Sequence, residues 1–366
     1  MDIFSDDRVV LTLDAGGTNF VFNASRGGKA LLEGICRDSH ATNLDACLEG
    51  IREGFREVIK ASGRKAVAIS FAFPGPADYR RGIIDNDNNL PAFKGGVPLK
   101  DILEEEFQVP VFINNDGDLF TYGEALGGIL PVVNARLEAS GSTKRYHNLA
   151  GFTLGTGFGG GFVSNGRLIA GDNVTAAEVW LFSNRYYPEV NTEEVVSIRS
   201  VKRFYAREAG MENPEELEPR DIFDIARGKL EGNRQAAIKS YELMGQALGD
   251  AVANVLTFVD GIAVIGGGIT GAREFYMPAL MKELSSRFDP RNEASMPRLV
   301  QSVYNLDNRA QQEKFYRDRT KTLLVPGSGR SVSYDPVPRL AVATSTLGAS
   351  ESIALGAYAY ALTQLK

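Results

Sequence analysis

Apolar residues along the chain follow two alternating patterns, and each pattern predicts one kind of element. Continuous apolar runs at residues 9–13 and 67–73 predict buried strands. Between them, apolar residues recur in steps of three and four from residue 44 to residue 59, which indicates an amphipathic helix. A helix at 99–107 and a strand at 110–113 follow. This alternation is typical of α/β layers around a largely parallel sheet.

The same pattern starts again in the second half of the chain. A strand at 152–154 enters a glycine cluster, and the pair Asn165-Gly166 between two apolar runs predicts a tight hairpin. A long helix at 235–259 then leads into a buried strand at 262–265. Because each half begins with strand, glycine turn and strand, the sequence predicts a duplicated βββαβα plan.

This duplication predicts two lobes, residues 1–120 and 121–349, with the C-terminal helix from about residue 350 packing back on the first lobe. Two stretches interrupt the pattern. Residues 131–148 are polar, and we expect them to loop out. Residues 288–337 are rich in Arg, Asn, Gln, Pro and Ser, and we expect short elements there or a cover for the cleft between the lobes.

Composition excludes some function classes. The 366 residues carry a formal net charge of −6, which gives no general attraction to nucleic acid or to an anionic membrane. The chain begins without a basic segment, and no apolar run is long enough to span a membrane. Two cysteines, Cys36 and Cys47, and two histidines suit a reducing compartment and supply few soft metal ligands. We therefore expect a cytoplasmic globular protein without nucleic-acid or membrane partners.

Among the 39 glycines, four clusters stand beside short apolar runs: Pro74-Gly75-Pro76 and three others with candidate chemistry. In Asp14-Ala15-Gly16-Gly17-Thr18, open backbone N–H groups stand beside a carboxylate that can hold hydrated Mg²⁺; a tight turn carrying an aspartate is the alternative. The run that starts at Gly155-Thr156-Gly157 has five glycines in seven residues, which favours close approach to a ligand over a plain glycine-rich hairpin. Gly266-Gly267-Gly268 offers a flat surface for adenine or ribose, although strand-to-helix turns often contain glycine.

A carboxylate follows the strand predicted at 110–113, at the end where open α/β sheets bind ligands. Asp116 is suited to accept the proton of an attacking hydroxyl in phosphoryl transfer, and Asn115 can hydrogen-bond a polyol. Either Asp116 or Asp118 can instead cap the helix that follows. We assign the capping role to Asp118 and the chemical role to Asp116.

In their order, the three glycine clusters resemble the phosphate-1, phosphate-2 and adenosine elements of the actin–hexokinase superfamily. Within it, the chain resembles the ROK sugar kinases, which include bacterial glucokinases and kinases of N-acetylglucosamine and N-acetylmannosamine. The supporting segments are Phe73-Pro74-Gly75-Pro76, Asn89-Leu90-Pro91, Asn115-Asp116, Gly123-Glu124 and Leu355-Gly356-Ala357. The resemblance implies a two-lobed actin-like (ribonuclease H-like) fold with a nucleotide in the cleft, and a homodimer.

The resemblance also implies roles for individual residues. ATP would be the phosphoryl donor, Asp14 would hold Mg²⁺ through water, and Asp116 would be the general base for a sugar hydroxyl, the 6-OH of a hexose or N-acetylhexosamine. The implied sugar contacts are Gly75, Asn89, Asn115, Asp116, Glu178 and Glu193. The implied nucleotide contacts are Asp14, Gly16, Gly17, Thr18, Asn19, Gly155, Thr156, Gly157, Gly266, Gly267 and Gly268.

The chain departs from the family pattern where many members bind zinc. Leu181 replaces the histidine that follows the sugar-binding Glu178, and Asn191-Thr192 replaces cysteines. Four tetrahedral N or S ligands cannot be assembled, so we expect no zinc site. We expect Trp180 in the core rather than stacked on a sugar. Packing would hold the 182–192 loop, around Trp180, Phe182, Tyr186 and Tyr187.

Two other functions remain as alternatives. ROK repressors share the sugar-binding core but add a helix-turn-helix segment, for which about eight residues before Val9 leave little room. A sugar-sensing protein with weak catalysis is compatible with the lost histidine, although the aspartates Asp14 and Asp116 argue against it. Glucose, N-acetylglucosamine and N-acetylmannosamine stay open as substrates, because they differ at C2 and no residue is assigned to that carbon.

Overall fold

The computed structural model describes residues 2–16, 18–85, 90–212, 217–289 and 294–365. The chain divides into two compact units. The first comprises Met1–Gly128, Gly161–Ala176 and Leu347–Lys366, and the second comprises Ile129–Gly160 and Ala177–Thr346. The division therefore differs from the expected boundary near residue 120, and residues 161–176 belong to the first unit rather than to the second.

The first unit is built on a six-stranded sheet beside a small three-stranded one. Their strands are β1 (Val9–Ala15), β2 (Asn19–Arg26), β3 (Lys29–Ala30), β4 (Ile35–Asp38), β5 (Ala66–Ala72), β6 (Ala77–Asp78), β7 (Ile83–Ile84), β8 (Val97–Pro98) and β9 (Val111–Asn114). The large sheet has the order β3-β2-β1-β5-β9, with β4 paired to β2, and the small one the order β6-β7-β8. Because β1, β5 and β9 are parallel, their carboxyl ends share one edge.

Helices cover this sheet. They are α1 (Leu44–Ser62), α2 (Leu99–Phe107) and α3 (Asp116–Leu126), with a 3₁₀ turn at Pro91–Phe93. Phe55 of α1 packs edge-on against Phe22 of β2, with 5.1 Å between the ring centroids. Its ring is tilted against that of Phe71 of β5, with 6.1 Å between the centroids. Burying one such side chain contributes about 1.5–3 kcal/mol, so these aromatic contacts fix the helix on the sheet.

The second unit contains most of the second large sheet. The strands that follow β9 are β10 (Asn148–Leu154), β11 (Phe158–Ser164), β12 (Arg167–Leu168), β13 (Ser183–Asn184), β14 (Tyr187–Asn191), β15 (Ile262–Gly266), β16 (Arg287–Phe288), β17 (Met296–Pro297), β18 (Ser302–Asn305), β19 (Lys321–Leu324), β20 (Ser331–Tyr334) and β21 (Arg339–Thr344). The large sheet has the order β12-β11-β10-β15-β21-β18. Val163 pairs with Leu168 and Ser164 with Arg167, which confirms the hairpin predicted at Asn165-Gly166.

The helices of the second unit pack mainly around one long central helix. They are α4 (Ile129–Ala139), α5 (Ile198–Ala209), α6 (Pro219–Ala226), α7 (Arg234–Val259), α8 (Arg273–Leu284) and α9 (Arg309–Tyr316), with 3₁₀ turns at Val179–Leu181, Thr192–Glu194 and Gly268–Ala272. Helices α5, α6 and α8 all contact α7. The helix predicted at 235–259 is therefore confirmed, and it is the centre of a helical layer that contacts β10.

The expected loop at 131–148 is wrong for its first half, because α4 occupies residues 129–139. Four of its apolar residues are buried at helical spacing: Ile129, Leu130, Val133 and Leu137. Pro131 is compatible with this helix because its first turn has no need of that N–H group. The apolar stripe was hidden by its proline and by the polar residues around it.

The short elements expected at 288–337 are confirmed. Two hairpins, β16–β17 and β19–β20, and the helix α9 lie in this stretch. It also contains β18, which pairs in parallel with β21 and forms the edge of the large sheet. The segment is therefore partly structural and is not only an insertion.

The C-terminal helix α10 (Ala349–Gln364) packs within the first unit against α3, β5 and β1. Its contact with α3 depends on two glycines. A Cβ built on Gly356 would lie 1.9 Å from the Leu119 carbonyl oxygen, and one on Gly123 would lie 2.0 Å from the Ser352 carbonyl oxygen. Only glycine allows the two helix backbones to approach this closely.

Candidate functional site

The carboxyl edge of the first sheet brings two aspartates close together. Asp14 at the end of β1 is in register with Ala72 of β5, which is in register with Asn114 of β9. Neighbouring strands lie about 4.8 Å apart, so two strand spacings separate Asp14 from Asn114. Asp116 follows two residues later, as the first residue of α3. The side chains of both aspartates reach solvent.

The environment of these carboxyl groups raises their pKa values. For Asp116, desolvation by the surrounding protein is the largest cause, and the charge of Asp14 adds to it, while hydrogen bonds from backbone N–H groups oppose it. Desolvation likewise raises the pKa of Asp14. A carboxylate with a raised pKa is a stronger base, which suits Asp116 to accept a proton from a hydroxyl.

The cap of α3 differs from the expected one. The Asn115 side chain, not that of Asp118, is the N-cap, and its Oδ1 accepts the Gly117 N–H at 2.7 Å. Asp118 lies buried in the first turn of the helix. The assignment of Asp118 as the cap is therefore wrong, because α3 already begins at Asp116, three residues before the start that a cap at Asp118 would give, and asparagine is as good a cap as aspartate.

The turn after β1 is tight. The Gly16 N–H donates to the Asn19 carbonyl oxygen at 3.0 Å, and a Cβ on Gly16 would lie 2.9 Å from that same oxygen. The side chains of Thr18 and Asn19 are exposed beyond this turn. Gly17 lies outside the described residues. The turn is therefore built so that glycine at position 16 is needed, next to the exposed carboxyl of Asp14.

Two other expected sugar contacts follow β5. A Cβ on Gly75 would lie 2.8 Å from the hydroxyl of Tyr79, which itself donates to the Phe73 carbonyl oxygen at 3.0 Å. The missing side chain of Gly75 therefore leaves room for the hydroxyl of Tyr79. Asn89 lies outside the described residues.

In the second unit, the two other glycine clusters meet. Gly266 at the end of β15 is in register with Thr153 of β10, immediately before the Gly155 turn. Gly267 has a φ of 94°, and a Cβ there would lie 2.3 Å from the Leu154 carbonyl oxygen, so no other residue fits. The sequence separates these clusters by more than 100 residues, and parallel pairing of β10 with β15 joins them.

The Gly155 turn is also bonded to a helix and to a carboxylate. The Gly155 N–H donates to the Gly157 carbonyl oxygen at 3.0 Å, and the Gly155 carbonyl accepts the Ile198 N–H of α5 at 2.9 Å. The Glu193 carboxylate accepts the Phe158 N–H at 3.1 Å. Because β10 and β11 are paired neighbours that flank this turn, the turn is part of a glycine-rich hairpin. Thr156 is exposed at its tip.

A cleft beside Gly268 was not foreseen. It measures about 490 Å³, within the range of small-molecule sites. Its lining combines Ile269 of the 3₁₀ turn with apolar side chains of three helices, among them Ile198, Val201, Phe223 and Tyr241, and with the charged residues Glu218, Arg220, Asp224 and Lys229. These residues come from distant parts of the chain, so the only signal in the sequence was the glycine cluster at its border.

Glu178 and Trp180 lie together in the second unit. The indole Nε1 of Trp180 donates to the Glu178 carboxylate, and both side chains are half-buried. The expectation that Trp180 lies in the core is therefore wrong: the polar end of the indole bonds a neighbouring carboxylate. Leu181, in the position of the family histidine, is 57% exposed.

The 182–192 loop is held partly by packing, as expected, since the ring of Tyr187 lies 5.5 Å from that of Phe204. Polar contacts also hold it. The buried Asn184 donates to the Ala247 carbonyl oxygen at 3.0 Å, and the Tyr186 hydroxyl donates to Glu283. The loop is therefore fixed to α7 and α8.

Within residues 2–16, 18–85, 90–212, 217–289 and 294–365, no three histidine, cysteine, aspartate or glutamate side chains are grouped to hold a metal ion. Over the same ranges, none of the helices combines the length and the apolarity that crossing a membrane requires.

Comparison with known proteins gives consistent relatives. The model of the ROK family matches residues 10–180. A solved glucokinase structure from Parabacteroides distasonis is 47% identical, with a TM-score of 0.90 and 99% of both chains covered. The glucokinase of Thermotoga maritima is 29% identical over 297 residues, 75% of this chain and 86% of the relative. The N-acetyl-D-glucosamine kinase of Vibrio parahaemolyticus is 26% identical over 284 residues, 72% of this chain and 85% of the relative.

Proposed function

This chain belongs to the ROK family and is a sugar kinase, and we propose that it transfers the γ-phosphoryl group of ATP to the 6-OH of a hexose or N-acetylhexosamine. One observation carries the proposal. Asp116 is the first residue of α3 at the carboxyl edge of a parallel sheet, reaches solvent, and has a raised pKa. This is the position and the chemistry that a general base for a sugar hydroxyl needs.

The proposed reaction is an in-line displacement. The sugar oxygen forms a bond to the γ-phosphorus while the bond from that phosphorus to the β,γ-bridging oxygen breaks, and ADP leaves. The Asp116 carboxylate accepts the hydroxyl proton and later releases it to solvent. Because phosphoryl transfer demands little covalent work from the protein, positioning and charge stabilisation supply most of the rate enhancement.

The nucleotide is assigned to the glycine segments and the cleft of the second unit. The apolar lining of the cleft suits adenine, and Gly268 at its border suits ribose. The backbone N–H groups of Thr156, Gly157 and Thr18 would bind phosphate oxygens, whereas those of Gly155 and Gly16 already donate to the Gly157 and Asn19 carbonyl oxygens and shape the two turns.

Asp14 fits a magnesium ion held through water. Its carboxylate is a hard oxygen ligand, exposed at the end of β1 beside the tight turn at Gly16. A bound Mg²⁺ neutralises charge on the phosphate oxygens. In this assignment Asp14 has two roles, since its own charge also raises the pKa of Asp116.

The sugar is assigned to Asn115, Gly75 and Glu178, together with Asn89 and Glu193 from the sequence. The cap bond to Gly117 uses only the carbonyl oxygen of Asn115, and the amide group is suited to a sugar hydroxyl. The relatives include kinases of glucose and of N-acetyl-D-glucosamine, so both belong in the test panel. The homodimer implied by the resemblance stays a prediction, checked by light scattering of the purified chain.

The test is a coupled assay of ADP release across a panel of hexoses and N-acetylhexosamines. We expect Asp116→Asn to lower kcat by about 10²–10⁴-fold with the melting temperature preserved. Asp45→Asn is the matched control, since Asp45 also lies in the first turn of a helix of the first unit and is exposed. Full turnover by the Asp116 variant would refute the base assignment. Sugar binding without ADP release by the wild-type chain would favour a sugar-sensing protein instead.

A further inference from the structure

The sequence contains one tryptophan, Trp180, and its indole is bonded to a carboxylate that we assign to the sugar. Trp180 lies in the 3₁₀ turn Val179–Leu181, and its Nε1–H donates to Oε2 of Glu178, the residue before that turn. The bond engages Oε2, and the other oxygen, Oε1, is suited to accept from a sugar hydroxyl. Both side chains are half-buried, so the pair is partly accessible.

We propose that Trp180 is a positioning residue for the sugar: it holds the Glu178 carboxylate in one orientation before the sugar binds. This inference rests on the proposed function, which assigns Glu178 to the sugar. A glutamate side chain has three rotatable bonds, and a ligand that binds through it must bear the cost of ordering them. An indole N–H can only donate, and its bond to a carboxylate is charge-assisted, so Trp180 orders Glu178 in advance.

The backbone that carries this pair is closely packed on β11. Val179 is fully buried, and a Cβ on Gly160 would lie 2.9 Å from its Cγ2 atom and 3.0 Å from the Ala177 carbonyl oxygen. The missing side chain of Gly160 therefore lets strand and turn approach. Ala177 has a φ of 65°, in the left-handed region that residues other than glycine rarely adopt. The surrounding structure thus holds the start of the turn in a conformation that its sequence alone does not favour.

The other end of the turn is anchored as well. The Phe182 N–H donates to the Val179 carbonyl oxygen at 3.2 Å, and the Phe182 carbonyl accepts both the N–H and the hydroxyl of Thr192 at 2.9 Å. Thr192 is fully buried and begins the second 3₁₀ turn, Thr192–Glu194. The indole of Trp180 is therefore carried by a turn that is fixed at both ends, as a positioning residue requires.

The alternative role for Trp180 is direct stacking of its ring on the sugar. Trp180→Phe separates the two roles, because phenylalanine keeps an aromatic face but has no N–H group. We expect this variant to raise the calorimetric Kd for the sugar about tenfold, the size typical of one lost hydrogen bond to a charged group. KM for ATP should change less than about twofold. An unchanged sugar Kd in Trp180→Phe would overturn the proposal.

A double-mutant cycle tests whether Trp180 acts through Glu178. Glu178→Met keeps roughly the length of the side chain but removes both acceptor oxygens. If the indole acts only through that carboxylate, the double variant should bind the sugar no more than about twofold more weakly than Glu178→Met alone. Two effects that simply multiply would mean that the indole contributes independently of Glu178, which contradicts the positioning role.

Tyr187→Phe is the matched control, because it also leaves a phenyl ring in place of an aromatic side chain with a polar group. Tyr187 lies in β14, is half-buried like Trp180, and bonds Arg207 through its hydroxyl. We expect its sugar Kd to stay within about twofold of the wild type. An equally large weakening in Tyr187→Phe would attribute the effect to general loosening of the 182–192 loop and count against Trp180.

A measurement without nucleotide separates this inference from the proposed function. Because Trp180 is the only tryptophan in the sequence, tryptophan fluorescence reports the surroundings of this one indole. We expect titration of the wild type with glucose or N-acetyl-D-glucosamine to change the emission, with a midpoint equal to the calorimetric Kd. If no sugar of the panel binds by calorimetry, the proposed function fails and the inference fails with it. Sugar binding with unchanged emission refutes the role of Trp180 alone and leaves the kinase proposal intact.

Discussion

Replacing Gly356 by alanine is expected to disturb the helix that begins with Asp116. A Cβ at position 356 would lie 1.9 Å from the Leu119 carbonyl oxygen of α3, whereas real Cβ contacts stay beyond 3.0 Å. Helices α10 and α3 must therefore separate by more than 1 Å. Forcing extra atoms into a packed interior typically costs about 1–3 kcal/mol. The gain in helix propensity, about 1 kcal/mol, offsets only part of that cost.

The consequence for activity follows from the place of α3. Because Asp116 is its first residue, a shift of the helix also moves the proposed base. A displacement of about 1 Å at a catalytic group can lower the rate about 10²-fold. We therefore expect Gly356→Ala to lower both kcat and the urea midpoint of unfolding. KM for ATP should change little, because the cleft proposed for the nucleoside is lined by residues of the second unit.

Gly50→Ala is the matched control, since Gly50 also lies inside a helix of the first unit. The atoms nearest to its added Cβ, from Asp38 and His40, are 4.0 Å away. The substitution should therefore stabilise the protein by about 0.5–1 kcal/mol. Urea unfolding monitored by circular dichroism, with the coupled assay on the same samples, measures both effects. If Gly356→Ala were as stable and as active as Gly50→Ala, the close approach of α3 and α10 would not determine the position of Asp116.

Other measurements test the site itself. Burial, and to a smaller extent the charge of Asp14, raise the pKa of Asp116, and the base must be ionised to accept a proton. The acidic fall of kcat/KM should therefore have its midpoint at a pH above the ordinary aspartate pKa of about 3.9. A midpoint at or below that pH would contradict the assignment. EDTA should abolish phosphoryl transfer and added Mg²⁺ restore it, and Asp14→Asn should raise the Mg²⁺ requirement about 10–100-fold in a metal titration. Gly267→Ala places a Cβ 2.3 Å from the Leu154 carbonyl oxygen at a φ of 94°, so calorimetry should show a loss of about 1–3 kcal/mol. Gly268→Ala meets no atom within 4 Å and should keep the stability of the wild type.

The comparison of sequence with structure shows which elements local patterns can predict. The helix predicted at 99–107 is α2 with the same bounds, and the predicted strands at 9–13 and 67–73 are the cores of β1 and β5. These elements have uniform periodicity and clear ends, such as the proline after β5. The helix α4 was missed because a proline and polar neighbours hid its apolar stripe.

Within the site, the sequence by itself determined the reactive groups: a carboxylate after each of two buried strands, glycines where the backbone turns, and no cysteine or histidine to bind zinc near residue 190. These are properties of single residues and their neighbours, so they can be read locally. The tertiary structure decided which distant segments meet. Pairing of β10 with β15 joins two glycine clusters, and the anchored 3₁₀ turn brings Glu193 to the Phe158 N–H. Such contacts depend on the register of parallel strands and on packing across many residues, which no local pattern encodes.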